Sequence, residues 1–199
     1  MDQLLAGYLV AARGAREDWQ DAGLSGGDLV SMSGCVADVV PAERDGWDEW
    51  FDDAVSAARS CTRADLRVLA VGFAAADAPA LLEDIAETGV RPEHGGVAAR
   101  LARGEAYPGE HSGPVRGYEL VGFDTGIWHT WTCLGGLVGD VRQATGIRPG
   151  PWGLIEDERE ARRAAAWLTE SGLGDPKVFF WVPALLIDIT DERLGVTAR

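Results

Sequence analysis

His129 and Cys133 are the two residues whose types and spacing most directly suggest catalysis. An imidazole within hydrogen-bond reach of a thiol can generate a thiolate nucleophile. On a helix, a separation of four residues would place both side chains on one face. The flanking Ile, Trp and Thr residues favour a strand, on which the same four steps span about 13 Å. A direct Cys–His dyad is therefore excluded unless a third segment supplies the partner, and a core histidine beside a buried thiol is the favoured interpretation.

The remaining histidines lack acidic or cysteine neighbours at the spacing of a zinc site. His94 precedes two glycines, and His111 lies in a loop rich in glycine and proline. The glycine-rich run at 135–139 lacks the lysine of a phosphate-binding loop, and no G-x-S-x-G motif occurs. We therefore expect no metal, no cofactor and no catalytic residue. The alternative is a small hydrolase or transferase that uses His129 or His111 with a nearby carboxylate such as Asp124.

Acidic and aromatic residues are concentrated between positions 38 and 53. This segment holds seven acids and one arginine. One interpretation is a solvated helix face over a core stripe of Trp and Phe. The other is a docking face for a basic protein, because concentrated negative charge accelerates encounter with a partner of opposite charge. Under that interpretation the contact residues are Asp48, Glu49, Asp52 and Asp53.

Charge and composition limit the classes of function. The chain has 32 acidic and 18 basic residues, and its net charge of −14 disfavours contact with a nucleic-acid backbone. Cys35, Cys61 and Cys133 are widely spaced and indicate reduced thiols, not a disulfide framework. The N-terminus lacks the basic start and apolar run of a signal peptide, and no stretch is apolar over the length of a membrane span. We therefore expect a cytoplasmic protein that contacts neither nucleic acid nor membrane.

Helical and strand patterns alternate along the chain. The apolar spacings at 4–12 and 47–58 predict two helices, the second capped by Asp45. Leu66–Ala74 is a continuous apolar run typical of a buried strand. Further helices are predicted from Asp77 onward and over 97–103, 137–145 and 156–170. Further strands are predicted on both sides of a hairpin turn at 124–126 and over 178–189, where Pro183 indicates an edge or a bulge.

These patterns predict an α/β or α+β fold in which helices pack against a mixed β-sheet. A chain of 199 residues is long enough for one well-filled core, so residues 1–199 are expected to form a single domain. An internal boundary would fall in the glycine- and proline-rich loop 104–116.

Several short motifs in the second half of the chain combine glycine, aromatic and histidine residues. They are GYELVGFD at 117–124, HTWTC at 129–133, GLI at 153–155 and WVP at 181–183. Together they resemble a loosely defined group of bacterial immunity proteins encoded beside polymorphic toxins. Thr130 stands where the pattern of that group has serine, and the match spans roughly residues 117–183.

The resemblance implies a non-catalytic protein that binds and neutralises a cognate toxin. Many toxins of this kind are nucleases with basic clefts, which an acidic inhibitor can occupy as a mimic of the substrate. A structural or adaptor domain without a toxin partner would share the same sequence features.

Overall fold

The chain is organised around one sheet with helices on both sides. The structure, a computed structural model, describes residues 2–12, 50–107, 111–124, 127–132, 136–150, 152–173 and 180–192. Its strands are β1 (Gln3–Ala12), β2 (Leu66–Ala74), β3 (Ala106–Tyr107), β4 (Val115–Asp124), β5 (Ile127–Thr130) and β6 (Phe180–Asp188). Its helices are α1 (Ala54–Ser60), α2 (Ala78–Glu87), α3 (Gly96–Arg103), α4 (Leu137–Thr145) and α5 (Glu158–Ser171), and a short 3-10 helix covers Pro92–His94.

The six strands form one sheet in the order β3-β1-β2-β6-β4-β5, and every strand pair in the described residues is antiparallel. Helices α1, α4 and α5 contribute to the buried cluster on one face, and α2 and α3 contribute to the cluster on the other. Every residue of β2 except Arg67 is consequently buried. The predicted architecture of one sheet with helices packed against it is confirmed, although the sheet is antiparallel where a mixed one was expected.

The first predicted helix is wrong, because Gln3–Ala12 forms strand β1. Leu5, Tyr8 and Leu9 are spaced as on one face of a helix. In the structure they lie on a strand that is buried on both faces, so apolar residues occur at both alternating positions. A bulge between Leu5 and Gly7 shifts the side-chain alternation by one residue. After the bulge, Tyr8 packs in the cluster that includes α5 and Leu9 in the cluster that includes α2. Apolar spacing alone does not distinguish such a strand from a helix.

The second predicted helix begins later than expected. Its predicted cap, Asp45, lies outside the described residues. Helix α1 starts at Ala54 because the side chain of Asp53 accepts a hydrogen bond from the backbone N–H of Ser56 and caps the helix. Phe51, which was expected to be helical, instead pairs with β1 through two backbone hydrogen bonds of 3.0 and 2.8 Å. The aromatic residue thus extends the sheet.

The other predicted elements are confirmed, with small shifts at their ends. Strands β4 and β5 pair as the hairpin required, with Asp124 opposite Ile127, while the turn at 125–126 lies outside the described residues. In the described part of the chain, no helix has both the length and the apolar character needed to cross a membrane.

Pro183 lies in β6, which is an interior strand of the sheet. Its partner on β4 is Leu120, whereas the pairing with β2 ends one residue away, at Ala184. Pro183 therefore stands just beyond the part of β6 that is paired on both sides. A residue without an N–H is tolerated there because only one neighbouring strand needs hydrogen bonds. At Pro183, β6 has no paired neighbour among the described residues on the β2 side, as at the edge of a sheet, although β6 as a whole is an interior strand.

The loop 104–116 contains β3, which pairs with β1, and strands from both sides of the loop lie in the same sheet. The hydroxyl of Tyr107 donates a hydrogen bond of 2.8 Å to the carbonyl of Ala70. The ring of Tyr107 lies against Gly72 so closely that a Cβ on this glycine would be 2.7 Å from a ring carbon. The absence of a side chain at Gly72 therefore makes room for Tyr107.

Replacing Gly72 with alanine is expected to destabilise the protein by about 1–3 kcal/mol, because overpacking a core forces its neighbours to move. Urea unfolding followed by tryptophan fluorescence measures the change in the free energy of unfolding. In a Tyr107→Leu background the same replacement is expected to cost much less, since the ring that blocks the methyl group is gone. Equal costs in the two backgrounds would show that Tyr107 is not the obstacle.

Candidate functional site

The structure describes His129 but not Cys133, so the proposed pair is not tested. His129 lies in β5 opposite Gly122, as the strand prediction required. Strand β5 ends at Thr130, and Trp131 begins a turn, so the strand does not continue toward position 133 as expected. Cys133 lies outside the described residues, as do the side chain of Asp124 and that of His94.

Two of the four proposed partner-binding acids are described, and both are exposed. Asp48 and Glu49 lie outside the described residues, while Asp52 and Asp53 precede α1. The Oδ1 atom of Asp52 would lie 3.7 Å from a Cβ placed on Gly96, the first residue of α3. A carboxylate is favoured at that position, since the unpaired N–H groups at a helix start attract negative charge.

Asp53 is held in place by the helix that it caps. One of its carboxylate oxygens accepts the Ser56 backbone N–H at 2.8 Å, and the other accepts the Ser56 hydroxyl at 2.7 Å. These hydrogen bonds lower the pKa of Asp53 below its ordinary value, the side-chain bond having the largest effect. Asp53 is therefore a fixed, ionised group on the surface.

The structure brings together a different set of residues: a carboxylate, an imidazole and a phenol. The Oε2 atom of Glu192 lies 2.9 Å from Nδ1 of His111. The other imidazole nitrogen, Nε2, lies 2.9 Å from the hydroxyl of Tyr8. The rings of Tyr8 and His111 meet edge to face, with centroids 5.4 Å apart. We refer to these three residues as the Tyr8–His111–Glu192 chain.

Backbone groups fix the carboxylate end of this chain. The Oε1 atom of Glu192 accepts two backbone N–H groups, from Ser112 at 2.7 Å and from Gly113 at 2.8 Å. Partial burial raises the pKa of Glu192, but the hydrogen bonds from His111, Ser112 and Gly113 outweigh it, so the net pKa lies below the ordinary value. Glu192 is therefore ionised at neutral pH and holds the imidazole in one orientation.

The phenol end of the chain is enclosed by charged residues. Burial raises the pKa of Tyr8, and the Arg100 guanidinium lowers it in part, while Glu105, Asp53 and Glu192 raise it. Arg100 lies 5.5 Å from the centre of the Tyr8 ring and forms an ion pair of 2.7 Å with Glu105. The phenol is thus a protonated hydrogen-bonding group at neutral pH and not a phenolate.

Chemically, a carboxylate that orients an imidazole beside a hydroxyl is the arrangement used to activate a nucleophile. Here, however, the residues are largely enclosed: Tyr8 is 6% exposed, and the side chains of His111 and Glu192 are 10% and 15% exposed. With the phenol already hydrogen-bonded and little surface open to a substrate, the arrangement serves best to join three segments. We therefore interpret the Tyr8–His111–Glu192 chain as a structural connection.

The sequence singled out His111 in the loop before β4 but did not reveal its partners. Glu192 follows it by 81 residues, and Tyr8 precedes it by 103. No local spacing connects these three, and Tyr8 was placed on a helix. The signal that could have found the pair is the antiparallel pairing of β4 with β6, which sets Val115 opposite Ile187. That pairing brings the residues before β4 next to those after β6.

A second polar contact lies beside the first. Asp188, at the end of β6, accepts a hydrogen bond of 2.7 Å from Arg116 and one of 2.6 Å from the Thr190 hydroxyl. Burial raises the pKa of Asp188, and the hydrogen bonds from Thr190 and Arg116 lower it further than burial raises it. The Thr190 oxygen in turn accepts the backbone N–H of Val68 at 2.9 Å. The end of β6 is thereby attached to both of its neighbours.

Three polar residues of the second-half motifs, Glu119, Thr130 and Thr132, lie inside the core. Glu119 and Thr130 are fully buried, and Thr132 links them: its hydroxyl lies 2.9 Å from that of Thr130 and donates to Glu119 at 3.4 Å. These residues are therefore not available for contact with a partner. Among the residues that the structure describes, no group of three or more His, Cys, Asp or Glu side chains is arranged to hold a metal ion.

Comparisons of the chain with protein-family models, with curated proteins and with solved structures found no match. Fold and site alone define the class: an antiparallel sheet between two layers of helices, with a carboxylate–imidazole–phenol chain that joins β1 to the residues before β4 and after β6.

Replacing Tyr8 with phenylalanine is expected to lower the free energy of unfolding by about 1–3 kcal/mol, because it leaves an enclosed imidazole nitrogen without its partner. Urea unfolding at neutral pH measures the loss. The matched control is Tyr118→Phe, since Tyr118 is similarly buried and its hydroxyl makes no hydrogen bond to any described residue. A loss no larger than that of the control would show that the contact between Tyr8 and His111 contributes nothing to stability.

Proposed function

We propose that this protein is a cytoplasmic, non-catalytic immunity protein that binds and neutralises a cognate basic toxin through an acidic surface. That acidic surface consists of Asp48, Glu49, Asp52 and Asp53, of which the structure describes the last two. The observation that carries the proposal is the placement of Asp52 and Asp53, which lie exposed side by side between the sheet edge and the first turn of α1.

The geometry of Asp53 suits a binding role. Both of its carboxylate oxygens are already held by Ser56, so little conformational freedom remains to be lost when a cation approaches. Its lowered pKa keeps it charged even in mildly acidic solution. Asp52 lies next to the start of α3. The fixed carboxylate of Asp53, with the exposed carboxylate of Asp52 beside it, offers a lysine or arginine of the partner a preformed contact.

The charge of the whole chain supports the same partner chemistry. Several arginines are paired with carboxylates of their own chain: Arg63 with Asp65, Arg100 with Glu105, Arg116 with Asp188, and Arg162 with Asp77. Each pair removes equal amounts of positive and negative charge, so the net charge of −14 remains as a surplus of carboxylates. Such a surplus attracts a basic partner over long range and weakens with added salt.

The residues that carry the resemblance to immunity proteins relate to packing of the core and not to the contact with a toxin. Its motif residues Glu119 and Thr130 are buried in the core, so they specify packing. We therefore place the toxin contact on the acidic surface, which lies outside the segment that carries the resemblance.

The proposal is tested by co-expressing the protein with a basic toxin encoded beside its gene. Wild-type protein is expected to restore growth. The variant Asp48→Asn, Glu49→Gln, Asp52→Asn and Asp53→Asn is expected to lose protection, because four attractive charges are gone, while asparagine at position 53 still caps α1. Survival of the host and binding to an inactive toxin variant, measured at low and high salt, are the readouts.

The matched control neutralises four acids elsewhere: Glu83 and Glu87 on α2 and Glu160 and Glu170 on α5, each replaced by glutamine. All four are exposed, and both variants remove four negative charges from the net −14. The control is expected to protect nearly as well as the wild type. If the two variants lose protection equally, total charge and not the acidic surface is responsible. If the wild type itself gives no protection against the neighbouring toxin, the immunity function is wrong.

A further inference from the structure

The Tyr8–His111–Glu192 chain depends on one ionisable carboxylate. Glu192 receives three hydrogen bonds from the segment before β4, at 2.7, 2.8 and 2.9 Å, and His111 in that segment also contacts the Tyr8 hydroxyl. Glu192 lies in the turn after β6, and its backbone N–H donates a hydrogen bond to the carbonyl of Ile189. Loss of the carboxylate charge therefore acts at the point where three segments meet.

The donors around Glu192 leave no suitable place for an added proton. Oε1 accepts two backbone N–H groups, from Ser112 and Gly113, so a proton must go to Oε2. Oε2 faces Nδ1 of His111 at 2.9 Å. Because a carboxylate can only accept, Nδ1 of His111 carries the hydrogen of this contact. Protonation of Glu192 would thus set two donors against each other in an enclosed site and remove the charge that strengthens all three bonds.

At neutral pH the same contacts are satisfied whichever state the imidazole adopts. A neutral His111 donates from Nδ1 to Glu192 and accepts the Tyr8 hydroxyl hydrogen at Nε2. A cationic His111 donates from both nitrogens, and the phenol oxygen accepts. The connection therefore holds as long as Glu192 is ionised.

Four other charged groups lie near these residues, and each has its own partners. They are Asp53 before α1, Arg100 on α3, Glu105 after α3, and Asp188 at the end of β6. Asp53 is held by Ser56, Arg100 pairs with Glu105, and Asp188 binds Arg116 and Thr190. None of them is hydrogen-bonded to Glu192 in the described residues, so none can replace its contacts with the segment before β4.

We propose that Tyr8, His111, Ser112, Gly113 and Glu192 form an acid-sensitive latch, in which protonation of Glu192 releases the turn after β6 from the segment before β4. Tyr8 also pairs through its backbone with Phe51, which immediately precedes Asp52. The latch thus connects the turn after β6 to β1, the strand beside the acidic surface. This proposal does not depend on the identity of the protein's partner.

The direction of the pH dependence follows from the lowered pKa of Glu192. A carboxyl group whose pKa is lower in the closed latch than in the released turn stabilises the closed latch. This stabilisation is fully present at a pH above the pKa of the released form. That contribution is lost as the pH falls through the lower pKa of the closed form. The latch is therefore strongest at neutral pH and weakens on the acid side of the ordinary glutamate range, by about tenfold for each pH unit between the pKa of the released form and that of the closed form.

Hydrogen exchange followed by NMR tests this latch, with rates corrected for the intrinsic pH dependence of exchange. In the wild type, the Ser112 and Gly113 amides are expected to be protected near pH 7 and to lose protection together as the pH is lowered to about 3. The Leu186 amide in the sheet must stay protected over the same range. In Glu192→Gln, which cannot ionise, protection of the two amides is expected to be lower at neutral pH and to show no step.

Asp191→Asn is the matched control, because Asp191 is the exposed neighbouring acid in the same turn. It is expected to keep the wild-type step. The latch is refuted if Glu192→Gln retains that step, or if the wild-type Ser112 and Gly113 amides lose protection only when Leu186 does. The second comparison uses the wild type alone and stays decisive if the glutamine variant fails to fold.

Discussion

Burial of the sheet on both faces is the constraint on which the rest of this structure depends. Antiparallel sheets commonly leave one face to water and alternate polar with apolar residues. Here helices cover both faces, so β2 is buried along almost its whole length, and most side chains on either side of the sheet are apolar. Glu119 and Thr130 are buried exceptions, and Thr132 hydrogen-bonds to both. Charged side chains are mostly displaced to the ends of the strands. Arg116 meets Asp188 at such an end, and Glu192 reaches His111 just beyond it.

The same constraint explains which elements the sequence predicts well. Helices α4 and α5 have water on one side, so their polar and apolar residues separate at helical spacing and mark them clearly. Strand β2 is recognisable because its apolar run is short and uninterrupted. Strand β1 has no polar face and a bulge between Leu5 and Gly7, so its pattern matches a helix by coincidence. The segment is a strand because it pairs with β2 and β3, and the local sequence does not reveal this pairing.

The candidate site was less predictable than the fold for a related reason. An acid-rich segment can be read directly from composition, so Asp52 and Asp53 were identified as exposed groups without any knowledge of topology. The partners of His111 depend on which strands are adjacent. Glu192 and Tyr8 come from opposite ends of the chain, and their meeting requires β6 to lie beside β4 and β1 to be a strand. A histidine can thus be singled out by type while its chemistry stays undetermined until the sheet order is known.

The place of β6 in the sheet has a consequence for the order in which the chain can fold. Strands β1, β2 and β3 pair among themselves, as do β4 and β5, and among the described strands only β6 joins the two groups. During synthesis, β2 and β4 therefore each expose an unpaired edge until the residues of β6, the last strand along the described chain, have left the ribosome. Exposed apolar edges of this kind promote pairing with other chains. A chain that ends before residue 180 would lack β6 and would contain two incomplete half-sheets, each with an apolar edge open to neighbouring molecules.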